Sequence, residues 1–291
     1  MNSVMALILE MVSRGNTLEA MAALNDQPLS DSVVIFNRVL YSGGRADNAM
    51  VLTEIERLQN LLGQVSGTTK KTALYNLGCF FLLKDDVSAA SSFFQQALDI
   101  KPDDLPARHN LGYAQELMAD AEAAQKTYAE VLKRDANFIL SSISMSLLWA
   151  EQGNRNQALD NLRKLFKTYP ANTGVLYYLV HVLLQDHGPE SAKEVVSLLA
   201  ENTAPWERHP QMQEAQAYAF WLLEEWDQAE TAFQSLAQSA PQSEFALLGL
   251  AKLYGRQARI SEMKEALRQL AELNPAHAAQ ALLSDMEALG M

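Results

Sequence analysis

Apolar residues recur along this chain at helical spacing, in paired runs separated by short polar breaks. In the clearest pair, Leu74, Leu77 and Phe81 fall on one face of a first segment, and Ala90, Phe94 and Ala97 on one face of a second. Steps of three and four residues place such side chains on one side of an α-helix. The break between them, Lys84, Asp85 and Asp86, is too short for anything but a tight turn, so the two helices fold back on each other as a hairpin. Gly78 and Ala90 are small where the helices cross, which lets the backbones approach closely. Pro102 ends the second helix, because proline disfavours helical geometry in the residue before it.

The pattern is periodic. Ala90, Ala124, Ala158 and Ala192 are 34 residues apart, and Pro102, Ala136 and Pro170 keep the same step. The next equivalent alanine, Ala229, comes after 37 residues, which places a three-residue insertion between Glu201 and Pro210; Pro241 and Pro275 are again 34 apart. The period predicts six units, 71–104, 105–138, 139–172, 173–209, 210–243 and 244–277. Leu7, Met11, Gly15, Ala20 and Leu24, then Phe36, Leu40, Ala49 and Leu52, predict two degenerate units within 1–70. The stretch from Gly63 to Lys71 reads as a flexible joint, and 278–291 as a C-terminal capping helix. A single hairpin cannot bury its apolar face, so consecutive units must stack.

Leu74, Leu77, Gly78, Phe81, Ala90, Phe94, Ala97 and Pro102 follow the spacing W-x2-L-G-x2-Y, then A-x3-F, then P. The chain thereby resembles the tetratricopeptide repeat family, with Leu74 in place of the tryptophan and Phe81 in place of the tyrosine. The resemblance implies an all-α fold, a right-handed α-solenoid of antiparallel helix hairpins with the first helix of each unit lining a concave groove. It also implies protein–protein interaction: an adaptor or chaperone-like scaffold that holds a peptide or helix of another protein.

The family's groove positions fall on Tyr75, Asn76, His109, Asn110, Tyr113, Tyr177, Tyr178, His181, Tyr218 and Trp221. Tyrosine and tryptophan offer large contact area with few rotatable bonds, and an asparagine can pair with both backbone groups of an extended segment. The family's clamp for chaperone-tail carboxylates is not expected. Tyr75 and Cys79 stand at its lysine and asparagine positions in the best unit, and only Asn110 matches.

Composition narrows the alternatives. Of the 291 residues 48% are apolar and 20% charged, enough to build a core, and the net charge of −12 opposes binding to nucleic acid or anionic membranes. Cys79 is the only cysteine, which excludes an intrachain disulfide and a cysteine zinc site, and reads as a packing residue. The five histidines, His109, His181, His187, His209 and His277, form no HxxxH or HExxH pair; no metal, cofactor or catalytic activity is expected. His187 with Gly188 reads as a solvated turn.

The apolar stretch Val4–Val12 has no preceding basic residue and is interrupted by Glu10, so it reads as an amphipathic helix and not a secretion signal. No run reaches the roughly 20 apolar residues that span a bilayer, and a cytoplasmic location is expected. Two other functions fit the same pattern: a scaffold that self-associates as a homo-oligomer, or a sensor holding a small ligand or peptide signal in the groove.

Overall fold

The computed structural model describes residues 48–201 and 209–276, and among these there are thirteen helices and no strand. The expectations for 1–47, for the insertion around 202–208 and for the capping helix lie outside the described residues. The fold is an all-α helical repeat. Helix α1 (Asn48–Leu62) precedes a run of antiparallel pairs: α2 (Gly67–Leu83) with α3 (Val87–Ile100), α4 (Leu105–Leu117) with α5 (Ala121–Arg134), α6 (Ile139–Glu151) with α7 (Arg155–Thr168). There follow α8 (Thr173–Leu184) and α9 (Pro189–Glu201), α10 (Pro210–Leu222) with α11 (Trp226–Ser239), and α12 (Glu244–Arg256) with α13 (Ile260–Leu273). The chain divides into two compact units, with the boundary between Val175 and Leu176. No helix among the described residues is long and apolar enough to cross a membrane.

Five of the hairpins are closed by the same turn. After α2, the Asp85 N–H donates to the Leu82 carbonyl at 3.1 Å and the Asp86 N–H to the Phe81 carbonyl at 3.0 Å, which satisfies carbonyls that the helix end would leave orphaned. Asp86 is at once the last residue of this motif and the N-cap of α3, its carboxylate accepting from the Ala89 N–H at 3.1 Å. Ala119 with Asp120 repeats the arrangement, and Gly153, Glu224 and Ala258 occupy the Asp85 position in later turns.

The motif needs one residue in the left-handed region, and the chain supplies it at the repeat period. φ is +60° at Asp85 and Ala119, +83° at Gly153, +52° at His187, +57° at Glu224 and +56° at Ala258. Only one of the six is glycine. A side chain in that region costs about 1–2 kcal/mol, so five of the turns are held by their hairpins against local preference.

Close approach of the two helices is visible at the first-helix glycines. A Cβ on Gly78 would lie 2.5 Å from the Phe94 ring, and one on Gly112 2.7 Å from the Tyr128 ring; both rings are fully buried. The aromatic residue of the second helix therefore rests on the backbone of the first. Ser146 and Leu162, and Ala251 and Leu267, keep the same 16-residue separation with a larger small residue and a non-aromatic partner, whereas Ala217 keeps Phe233 at that separation. Ser146 also carries polar contacts: its hydroxyl donates to the Ser142 carbonyl at 2.9 Å and accepts from Asn161 Nδ2 at 2.8 Å.

Two details differ from the sequence expectations. Helix α2 begins at Gly67, inside the stretch read as a flexible joint. Lys71 explains the early start: its ammonium lies 2.8 Å from Asp104, with both side chains buried, and the other oxygen of Asp104 caps α4 at the Ala107 N–H. That pair ties the first turns of α2 to the start of α4. In α1 the inward face carries Val51, Ile55 and Leu58, whereas Leu52 is 43% exposed. The degenerate frame misplaced that face by one residue.

Two tests follow from the turn and the crossing. Ala119→Gly and Ala258→Gly each relieve a left-handed alanine and should stabilise the chain by about 0.5–1 kcal/mol, read as a higher midpoint of thermal unfolding; a lower midpoint would refute the assigned strain. Gly78→Ala should destabilise by about 1–3 kcal/mol in urea titration, and adding Phe94→Leu, which imitates the Ala251 and Leu267 pair, should recover part of the loss.

Candidate functional site

In the second unit the first helices α8, α10 and α12 present their apolar, aromatic faces to one cleft. Its larger cavity, about 220 Å³, is bounded by Tyr177, Val180 and His181 of α8, by Gln211, Glu214 and Tyr218 of α10, and by Phe245 of α12. A smaller one of about 120 Å³ adjoins it, bounded by Trp221, Leu248 and Lys252 and floored by Phe233. Tyr218 and Phe245 belong to both, with ring centroids 6.3 Å apart in an edge-to-face arrangement.

The walls are held from behind. The Tyr218 hydroxyl is hydrogen-bonded to His187 Nδ1 at 2.7 Å, so the imidazole in the turn after α8 orients a ring on α10. Tyr177 packs edge-on against Tyr178 at 5.1 Å and stacks on His181 at 6.3 Å. Trp221 meets Trp226 edge-on at 5.4 Å, and the Arg256 guanidinium covers Trp226 at 4.6 Å. Burial raises the Glu214 carboxyl above its ordinary range, opposed by a hydrogen bond from Ser243.

The first unit treats its candidate residues differently. Tyr75, Asn76, His109 and Asn110 are buried. Asn110 Nδ2 donates to the Tyr75 hydroxyl at 3.1 Å and reaches Cys79 Sγ at 3.6 Å. Burial raises the Tyr75 phenol and pushes the Cys79 thiol up to about 12, so no thiolate forms near neutral pH. His109 packs between the rings of Tyr128 and Phe138 and pairs with Ser141 Oγ at 3.0 Å. Tyr113, by contrast, is 42% exposed on α4, beside the exposed Leu117.

Comparison with known proteins bears on this arrangement. Two family models, both described as tetratricopeptide repeat, match the chain, one over residues 72–104, 105–138 and 246–277 and the other over 214–243. The chain is a tetratricopeptide repeat protein. No curated protein matches it. Among solved structures, this tetratricopeptide repeat protein is similar to PilF of Pseudomonas aeruginosa, at 20% identity and a TM-score of 0.60 over 74% of this chain and 97% of that one. It is similar also to PilW, described as a widely conserved type IV pilus biogenesis factor, at 14% identity and a TM-score of 0.62 over 75% and 100%. A third is YrrB, described as a repeat protein with an unusual peptide-binding site, at 17% identity and a TM-score of 0.51 over 65% and 96%. At these identities the likeness is one of fold.

Of the ten residues assigned from the repeat positions, the second unit of this repeat protein brings Tyr177, His181 and Tyr218 to the larger cavity and Trp221 to the smaller, with Tyr178 packed behind Tyr177. Phe245, Phe233 and His187 were not in that set. Phe245 stands second in its unit, a position at which none of the ten residues stands. His187, read as a solvated turn residue, is exposed yet bonded to Tyr218; nothing in the local sequence signals a partner 31 residues away. No group of three or more metal-ligating side chains occurs among the described residues.

The buried His109 gives a pH test. Burial lowers its pKa from the ordinary 6.5 to about 4, so between those values the unfolded chain takes up a proton that the folded chain refuses. The stability this confers is complete above about pH 6.5 and is lost as pH falls toward about 4, by roughly 3 kcal/mol in all. Urea unfolding at about pH 7 and about pH 5 should show a smaller acid loss in His109→Gln than in the wild type. Equal losses would mean that His109 is protonated within the fold.

Proposed function

We propose that this tetratricopeptide repeat protein is a binding module that holds a peptide or helical segment of another protein against its first helices, and that it works as an adaptor or scaffold in the cytoplasm. The observation that carries the reading is the aromatic cleft of the second unit, where two adjoining cavities share Tyr218 and Phe245 as walls. Tyr177, Tyr178, His181, Tyr218 and Trp221 contact the segment in this reading; Tyr113 is the exposed groove candidate of the first unit, taken by itself. Tyr75, His109 and Asn110 act from within, their hydrogen bonds fixing the helices that carry the exposed positions; Asn76 is buried beside them with its Nδ2 unpartnered.

Several features support this over catalysis. The repeat family is generally one of scaffolds. The only thiol is buried and held protonated, and the perturbed histidine is packed between two aromatic rings. Aromatic walls positioned by hydrogen bonds and edge contacts present contact area that is already ordered, which reduces the entropy lost on binding.

The test is selection of peptides from a displayed random library on the immobilised chain, followed by titration of the winners. Replacing Tyr113, Tyr177, Tyr178 and Trp221 together by Ala should weaken their binding more than tenfold while far-UV circular dichroism keeps its helical amplitude. Unchanged affinity in that variant would refute the groove. Light scattering across a concentration series distinguishes self-association, in which the chain would bind its own copies in place of peptides.

A further inference from the structure

The cleft of the second unit carries one formal charge at each end. Among the side chains lining the larger cavity Glu214 is the one carboxylate, and no lysine or arginine lines it; around the smaller cavity Lys252 is the one charged group. Glu214 lies partly withdrawn from water in the first half of α10. Its Oε1 accepts a long hydrogen bond of 3.4 Å from the Ser243 hydroxyl, and no cation among the described residues pairs with it. Elsewhere in the same unit, partly buried Glu230 is neutralised by Arg259 at 2.6 Å. A partly buried carboxylate in an aromatic wall, with no cation beside it among the described residues, favours a cationic ligand, which restores interactions that burial removed.

The smaller cavity has a shape of its own. A Cβ on Gly249 would fall 2.4 Å from the Phe233 ring, so the glycine lets that ring form the floor. The corresponding positions in the other repeats are Asn76, Asn110, Ser144, Tyr178 and Ala215, and none is glycine. A pocket of about 120 Å³ between Phe233, Tyr218 and Phe245 is of the size that suits an aliphatic side chain or a phenyl ring, given that a dry cavity of about 150 Å³ accommodates benzene.

Within the reading proposed above, we infer that the occupant of this cleft is a protein segment with a lysine or arginine that pairs with Glu214 and a leucine-, methionine- or phenylalanine-sized residue that enters the pocket over Phe233 and Gly249. Lys252 at the rim of that pocket disfavours a second cation beside the anchor and so orients the segment. The acidic chain, with a net charge of −12, favours approach of such a segment at long range.

The experiment uses random dodecapeptides displayed on phage, selected on the full-length protein and on Glu214→Gln, whose amide keeps an acceptor for Ser243. Wild type should enrich sequences with one basic and one aliphatic or phenyl residue at a fixed separation, and Glu214→Gln should enrich the apolar residue without the basic one. For a synthetic winner, replacing its basic residue by Ala should weaken binding to wild type about tenfold and to Glu214→Gln less than twofold. Equal losses on both proteins, or enrichment of acidic peptides, would overturn the inference while leaving peptide binding intact. Absence of any peptide sensitive to the aromatic substitutions would overturn the binding reading together with it.

Discussion

The close approach of paired helices at a small residue governs the architecture. An aromatic ring of the second helix rests on Gly78 in one repeat and on Gly112 in the next, at distances that leave no room for a methyl group. Ridge-and-groove packing of this kind fixes both the separation and the crossing of a helix pair, since the ring would have to leave its rotamer to change it. Once the crossing is set, the ends of the two helices come within reach of a turn only a few residues long. The left-handed residues at Asp85, Ala119, His187, Glu224 and Ala258 follow from that constraint. Their backbone conformation is imposed by the hairpin, with glycine used once.

The same principle, shifted by one repeat, shapes the cleft. In the repeat from Pro210 the own-repeat small residue is Ala217, and the Phe233 ring lies against Gly249 of the following repeat. That places an aromatic floor beneath the first helices and, with Tyr218 and Phe245, opens the smaller cavity. A packing variation within the core therefore becomes a surface feature. The first unit uses its first helices otherwise: Asn110, Tyr75 and Cys79 share a buried polar cluster, His109 is enclosed with Ser141, and Lys71 pairs with Asp104. Satisfied buried polar groups of this sort rigidify a stack and specify its register, which suits a support more than a receptor.

Side chains that share a repeat position thus have different roles. Tyr75 and Leu248 both stand fifth in their units, yet the first is enclosed by polar partners and the second lines an open pocket. A position in the repeat sets the direction of a side chain along its helix; what meets it there comes from other helices.

The sequence by itself determined the hairpins, their period and the buried faces of the well-patterned helices such as α2 and α3, though not that of α1, because those depend on local spacing: Leu74, Leu77 and Gly78 are within a turn or so of one another, and 34-residue recurrence needs no knowledge of contacts. It also marked Tyr177, Tyr218 and Trp221, since first-helix positions are countable. Tertiary structure decided which of the countable positions stay open. Asn110 meets Tyr75 across 35 residues, Tyr218 meets His187 across 31, and Phe233 meets Gly249 only because a neighbouring repeat lacks a side chain there. These pairings join elements through space, and no periodicity in one helix records the shape of the next.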